Sequence, residues 1–218
     1  MVSIIPAILS HNITDLKAKM AAVTPFSDHV HIDIMDGIFV ANKTITGKDL
    51  RGVETPLKLE AHLMVETPEI WIQDLVYAKC KKIIVHQEIG LSLRGVLQTI
   101  KGMGLLSGVA LNPDTEINKI SELWEHIDTV QLMGVVPGHY GATFQSNTVA
   151  KATQLREAGF LGTVQVDGGV TPENILMLKR SGVSNFVVGH YLFGSEEAPD
   201  FGNMDEKLKL LRTALGTP

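Results

Sequence analysis

The chain has 218 residues, of which 44% are hydrophobic and 20% are charged, and its mean hydropathy is +0.15. This length and composition are typical of one large globular domain with a substantial core. The formal net charge is −5 and the sequence contains no block of Lys or Arg, which argues against a nucleic-acid partner or an anionic membrane surface.

The single cysteine, Cys80, excludes an internal disulfide framework and fits a reducing compartment. It lies near the end of a predicted helix, and we interpret it as structural. The first residues have no basic region ahead of their apolar run, and no apolar run approaches the length of a membrane span. We therefore expect a soluble, cytoplasmic protein with no membrane partner.

Short apolar runs alternate with amphipathic segments along the whole chain. The predicted strands are 3–9, 29–33, 57–63, 82–86, 107–111, 129–133, 163–166 and 185–188. The predicted helices are 13–23, a weaker one at 48–52, then 68–78, 91–103, 116–125, 148–158, 172–181 and 204–215.

This alternation predicts βαβ units and a parallel sheet. Eight such units in about 200 residues match a closed barrel, which typically needs that length. A doubly wound open sheet is the alternative, but it usually has a Gly-rich turn after the first strand, and residues 7–12 contain no glycine. No Pro- or Ser-rich linker interrupts the chain. We predict an α/β fold, a single (β/α)8 TIM barrel domain over residues 1–218.

Three strand ends carry residues suited to catalysis. In the segment His-Ile-Asp-Ile-Met-Asp-Gly at 31–37, the period of two places His31, Asp33 and Met35 on one face of the strand. His62 and Asp167 also follow apolar runs. Active sites of such barrels lie at the carboxyl ends of the strands, so we expect His31, Asp33, His62 and Asp167 to point toward the same mouth.

Two imidazoles and two carboxylates suit a divalent transition metal, namely Zn²⁺, Fe²⁺, Mn²⁺ or Co²⁺. A lone histidine such as His62 is more often a structural residue than a ligand. Four such residues at three strand ends favour a site, because an unpaired aspartate is costly to bury.

The same set suits proton abstraction beside a carbonyl group. Asp33 and Asp167 could stand on opposite sides of a substrate carbon, while a metal neutralises the developing oxyanion. Met35, Met64 and Met133 fall near the same mouth and could line the substrate pocket. Packing in the barrel core is an equally good explanation for each methionine taken singly.

The chain resembles the ribulose-phosphate 3-epimerase family from end to end. The motifs that carry the resemblance are His-Ile-Asp-Ile-Met-Asp-Gly at 31–37, His-Leu-Met at 62–64, Leu-Asn-Pro at 111–113, Met133, Pro-Gly at 137–138, Val-Asp-Gly-Gly-Val at 166–170 and Phe-Gly at 193–194. The resemblance implies that His31, Asp33, His62 and Asp167 bind one catalytic metal. It also implies that Asp33 and Asp167 exchange protons with a ketose phosphate such as D-ribulose 5-phosphate through a metal-stabilised enediolate, giving D-xylulose 5-phosphate. A homo-oligomer is implied as well.

The departures from the family lie where it grips substrate. The family's first strand usually has a serine where this chain has Ala7. The loop after the sixth strand differs from the family at His139, at Tyr140, which replaces a glycine, and at Ala142, which replaces a glutamine. After the eighth strand, the usual Gly-Ser is Gly189-His190.

Substrate contacts are nevertheless expected from both loops. Backbone N–H groups of Gly168, Gly169, Gly189 and His190 could hold a phosphate, with Gly138 and Gly141 nearby. In one interpretation, His139 and His190 add donors and the substrate remains a phosphorylated ketose. In the other, the bulkier loop fits a different sugar phosphate or sugar acid phosphate.

Two further alternatives remain. A decarboxylase and aldolase branch that shares this barrel typically has an Asp-x-Lys-x-x-Asp strand, and the segment from Asp33 to Asp36 has no lysine at that place. A catalytically silent barrel that binds a sugar phosphate is disfavoured by the two Asp and two His, although Ala7 and Ala142 leave it open. We predict a metal-dependent 3-epimerase of a ketose phosphate.

Overall fold

The computed structural model describes residues 2–138, 141–195 and 199–216. Eight parallel strands form a closed barrel in chain order, and the last strand pairs with the first. The strands are β1 Ser3–Leu9, β2 His29–Met35, β3 Lys58–Met64, β4 Lys82–His86, β5 Leu106–Leu111, β6 Thr129–Met133, β7 Thr163–Asp167 and β8 Asn185–Val188. The predicted (β/α)8 TIM barrel is confirmed.

Helices follow the strands around the outside. They are α1 Ile13–Val23, α2 Gly47–Leu50, α3 Glu69–Tyr77, α4 Leu93–Gly102, α5 Asn147–Glu157, α6 Ile175–Arg180, α7 His190–Phe193 and α8 Met204–Ala214. Two 3₁₀ segments, Gln87–Ser92 and Ile117–His126, follow β4 and β5. The segment predicted as a helix over 116–125 is therefore 3₁₀, a difference in period that a short apolar pattern does not resolve.

The alternation of side chains in β2 separates two environments. Ile32 and Ile34 point outward into the continuous apolar layer between strands and helices. His31 and Asp33 point into the barrel, as the period of two predicts, and both are buried there. The outward face of β2 contributes to the hydrophobic core, while its inward face carries the polar side chains of His31 and Asp33.

Cys80 is 1% exposed and packs within that apolar layer. Burial raises the pKa of its thiol to about 12, so the neutral thiol is the stable form. In the described part of the chain, helices are too short or too polar to cross a membrane.

Candidate metal centre and active site

Four side chains from three strands converge inside the barrel. His31 and Asp33 come from β2, His62 from β3 and Asp167 from the last position of β7. Each is buried, and each offers one ligand atom such that all four atoms lie within 4.8 Å of one another. The structure thus brings together the four residues that the sequence selects.

Each imidazole presents one nitrogen to both carboxylates. His62 Nδ1 lies 3.0 Å from Asp33 Oδ1 and 3.3 Å from Asp167 Oδ2. His31 Nε2 lies 3.4 Å and 3.6 Å from the same two oxygens. Ligand bonds of about 2.1 Å put neighbouring ligand atoms about 3.0 to 3.4 Å apart in octahedral or tetrahedral geometry. Three of the four separations fall in that range, and the 3.6 Å separation of His31 Nε2 from Asp167 Oδ2 is slightly wider, so a single divalent ion needs only a small adjustment of these side chains.

A buried partner fixes the orientation of His31. Its Nδ1 donates a hydrogen bond of 2.6 Å to Glu60 Oε1, since a carboxylate can only accept. The opposite nitrogen, Nε2, is buried and has no hydrogen-bond partner among the described residues. In the neutral ring, the Nε2 lone pair therefore points at the site, as a metal ligand requires.

A second chain of contacts fixes His62 in the same way. His86 Nδ1 donates to Glu88 Oε2 over 3.1 Å, which leaves His86 Nε2 as an acceptor for His62 Nε2, 2.9 Å away. Burial lowers the pKa of His86, so its ring is neutral in this arrangement. Burial opposes protonation of His62, but hydrogen bonds to Asp167 and Asp33 outweigh it and raise its pKa, so without a metal Nδ1 donates to Asp33 Oδ1 over 3.0 Å. With Nε2 donating to His86, a metal that displaced the Nδ1 hydrogen would meet the lone pair of that nitrogen.

The carboxylates give the centre a strong preference for positive charge. Burial alone would lower the pKa of His31, but the neighbouring Asp33 and Glu60 carboxylates outweigh it and raise the pKa to about 10. Burial likewise opposes ionisation of Asp33, yet the His31 and His62 imidazoles hold its pKa below the usual range. A divalent cation would supply the same charge complement. The donor set fits such a metal.

Above these residues lies a cavity of about 280 Å³. Asp33 and Asp167 form part of its lining, whereas His31 and His62 do not and lie beneath it. The lining also includes nine residues that the sequence suggests for substrate contact: Met35, Met64, Met133, Gly138, Gly141, Gly168, Gly169, Gly189 and His190. The two carboxylates are therefore the acidic groups that a bound molecule would meet.

The methionines share the wall with other apolar side chains. Met35 and Met64 pack with Leu9, and Met133 packs with Ile84 and Ala110. The two proposed roles of these methionines, packing and lining, are thus compatible. Ala7 and Ala142 also line the cavity, while His139 and Tyr140 lie outside the described residues.

Backbone geometry narrows the cavity near β7. Gly168 has φ +93°, and a Cβ atom there would lie 2.4 Å from Val135 Cγ2. Only glycine combines this backbone conformation with such a close approach. The consequence is a tight turn in which Gly168 and Gly169 both line the cavity.

The loop after β2 closes one side of the barrel mouth. The Phe39 ring packs against His86 with centroids 4.8 Å apart, and Asn42 Nδ2 donates to the carbonyl oxygen of Gly138 over 3.0 Å. The described cavity lining contains no Lys or Arg, and His190 is its single basic side chain. The only basic side chain that an anionic group would meet in this described lining is therefore His190.

Sequence reasoning missed the buried partners of the four candidate ligands. Glu60 precedes His62 by two positions and so shares its strand face, and His86 follows three apolar residues at the end of β4. Those local signals could have identified both residues. Glu88 has no such signal, because it follows the strand in a 3₁₀ segment.

Comparison with known proteins agrees with this geometry. A sequence model described as "Ribulose-phosphate 3 epimerase family" matches residues 3–193. The chain belongs to the ribulose-phosphate 3-epimerase family. It is accordingly an isomerase, and the family supports a sugar-phosphate 3-epimerase activity.

Several relatives are similar to it over most of their length. The chloroplastic ribulose-5-phosphate-3-epimerase of Arabidopsis thaliana is 36% identical over 202 residues, which are 88% of this chain and 72% of that protein. Ribulose-phosphate 3-epimerase of Chlamydia pneumoniae is 33% identical over 95% of this chain and 93% of its own. The Bacillus subtilis protein of the same name is 33% identical, with 90% and 94% covered.

Solved structures outside the ribulose-phosphate 3-epimerase family share the barrel. A 3-hexulose-6-phosphate synthase has a TM-score of 0.73 at 15% identity and covers 99% of this chain and 100% of its own. The 3-keto-L-gulonate-6-phosphate decarboxylase of Vibrio cholerae has a TM-score of 0.71 at 15% identity, with 99% and 98% covered. At these identities the likeness establishes the fold alone.

Proposed function

We propose that this protein is a metal-dependent 3-epimerase that interconverts D-ribulose 5-phosphate and D-xylulose 5-phosphate, or a closely related ketose phosphate pair. The observation that carries the proposal is the convergence of His31, Asp33, His62 and Asp167, with both carboxylates lining one cavity. Family membership and the names of the relatives supply the reaction class.

His31, Asp33, His62 and Asp167 would hold one divalent transition metal. When bound, that ion would stabilise the negative charge that develops on the substrate's carbonyl oxygen. Its identity among Zn²⁺, Fe²⁺, Mn²⁺ and Co²⁺ is open, because this donor set suits all four.

Asp33 and Asp167 would carry out the proton transfers. One carboxylate removes the proton from carbon 3, next to the carbonyl, and the electron pair moves into the enediolate. The other aspartate, protonated at the start, delivers its proton to the opposite face of that carbon. The configuration is inverted, the two aspartates exchange protonation states, and exchange with solvent restores them.

The methionines and the glycine-rich turns would orient the sugar phosphate. Met35, Met64 and Met133 offer an apolar wall, which keeps water from the reacting carbon. Backbone N–H groups of Gly168, Gly169, Gly189 and His190 are proposed to bind the phosphate, with Gly138 and Gly141 on the facing loop.

The direct test is exchange of solvent deuterium into carbon 3 during turnover. We expect wash-in with D-ribulose 5-phosphate for metal-loaded protein. Asp33→Asn and Asp167→Asn should each lower the rate by a factor of about 10² to 10⁴ while circular dichroism is unchanged, because general acid–base catalysis contributes about that much. Activity that survives either change would rule out the two-carboxylate assignment.

A panel of ketopentose and ketohexose phosphates separates the remaining alternatives. Faster exchange with another sugar phosphate would indicate that Ala7, Ala142 and His190 accompany an altered specificity. Binding of sugar phosphates without exchange in any of them would favour a silent binding barrel.

A further inference from the structure

A second group of polar side chains lies inside the barrel and does not line the cavity. Glu60, Lys82, Gln131 and Gln165 come from β3, β4, β6 and β7, and each is at most 5% exposed. Barrel interiors are mostly filled by branched apolar residues. A buried polar group is costly unless its hydrogen bonds are satisfied, so this group calls for an explanation.

Three of the four side chains, Glu60, Gln165 and Gln131, form a continuous connection between two proposed metal ligands. Gln165 Nε2 donates to Glu60 Oε1 and to Gln131 Oε1, both over 2.8 Å. Gln131 Nε2 donates to Asp167 Oδ2 over 3.1 Å. Glu60 accepts from His31 at the other end. The connection therefore runs from β2 to β7 beneath the ligand atoms.

The chemistry of the end groups fixes the direction of each amide. A carboxylate can only accept, so the amide nitrogen of Gln131 must face Asp167 and its oxygen must face Gln165. The Gln165 amide nitrogen then donates one hydrogen to Gln131 and the other to Glu60. The Gln165 amide oxygen lies 3.4 Å from Lys82 Nζ, a group that can only donate.

The buried charge within the group is also compensated. Lys82 Nζ lies 2.8 Å from Glu60 Oε2. His29 Nε2 lies 3.2 Å from the same oxygen, so two nitrogen groups of basic side chains face the Glu60 carboxylate. The network thus has one consistent arrangement of donors and acceptors.

We propose that Gln131 and Gln165 are positioning residues that hold the Asp167 carboxylate in the orientation that metal binding requires. This inference rests on the proposed function of Asp167 as a metal ligand. The partners of metal ligands restrict ligand orientation, and their loss typically weakens metal binding by about 10- to 100-fold. The alternative is a network that only stabilises the barrel.

The test uses Gln131→Met, which nearly conserves volume and removes the donor to Asp167. The dissociation constant for Co²⁺ is measured by competition with a chelator, together with the visible absorption spectrum of the Co²⁺-loaded protein and the thermal midpoint of the metal-free protein. We expect binding about 10- to 100-fold weaker and a changed Co²⁺ spectrum. The matched control is Thr129→Val, an equally buried position on β6, which should leave both unchanged.

A Gln131→Met protein that binds Co²⁺ with wild-type affinity and spectrum overturns the proposal, even if its thermal midpoint falls. Should that variant fail to fold, Gln131→Leu takes its place, because its shorter side chain also lacks the donor to Asp167 and leaves the Gln165–Glu60 hydrogen bond intact. Weaker Co²⁺ binding with a changed spectrum in Gln131→Leu supports the proposal, and unchanged binding overturns it. A wild-type protein that binds no Co²⁺ refutes the proposed function itself, a result distinct from these.

Discussion

At the scale of single residues, the proposed metal site depends on which nitrogen of each imidazole ring is free to bind the metal. Glu60 accepts a hydrogen bond from His31 Nδ1, and neutral His86 accepts one from His62 Nε2. Opposite ring nitrogens of the two histidines therefore face the same centre. The sequence identifies the four ligand candidates, but it does not reveal this choice, because it follows from partners on other strands.

Cys80 offers a separate test at this scale. Its thiol is buried and its pKa is raised to about 12, so almost no thiolate exists in the folded protein at pH 8. We expect negligible reaction with a disulfide reagent such as 5,5′-dithiobis(2-nitrobenzoic acid) in native buffer and rapid reaction in denaturant. Rapid native-state reaction at pH 8 would contradict the assignment of Cys80 as a buried structural residue.

At the scale of elements, the carboxyl ends of β6 and β7 lie so close together that Gly134, the residue after β6, has no room for a side chain. Gly134 N donates to the carbonyl oxygen of Asp167 over 2.7 Å. A Cβ atom on Gly134 would lie 2.1 Å from the carbonyl oxygen of Gly168, which is backbone and has little room to move. This contact sets the position of Asp167 relative to β6.

Gly134→Ala should therefore reduce both stability and activity. Overpacking of this kind costs about 1 to 3 kcal/mol in the free energy of unfolding, measured by urea denaturation. The control is Gly95→Ala at an exposed position in α4, where an added Cβ atom would have no neighbour within 4 Å. Alanine there should raise the free energy of unfolding by about 0.5 to 1 kcal/mol. Equal free energies of unfolding for Gly134→Ala and wild type would contradict the close packing of residue 134 against the carbonyl oxygen of Gly168.

The elements also show where local sequence patterns suffice. All eight strands and most helices follow from alternating apolar runs. Helix α7 has four residues and the 3₁₀ segment after β4 contains Gly90 with φ +80°, and neither presents a repeating apolar face. Predicted helix 172–181 begins three residues later, at Ile175, because Thr171 to Asn174 form a turn whose N–H groups bond to Asn174 Oδ1 and local carbonyl oxygens.

At the scale of the whole molecule, barrel closure brings distant residues into contact. Gln165 bonds to Glu60 across 105 positions in the sequence, a contact that no local pattern predicts. The convergence of His62 and Asp167 was predictable because the fold class implies it. The network beneath them was not, since it depends on which inward positions of four strands carry polar residues.

The proposed homo-oligomer also belongs to this scale. Exposed Ile70 and Tyr77 lie seven positions apart on α3, so they share one helix face and leave apolar surface for a second copy. Sedimentation equilibrium should give a multiple of the 23.7 kDa chain mass, and a mass of one chain would refute it.

The central claim is that four side chains from β2, β3 and β7 surround one cation beneath the substrate cavity. The most direct measurement is anomalous X-ray diffraction at the cobalt absorption edge from crystals of Co²⁺-loaded protein. We predict one strong peak per chain, within bonding distance of His31 Nε2, Asp33, His62 Nδ1 and Asp167. A peak bound elsewhere, or no peak in protein that turns over substrate, would contradict it.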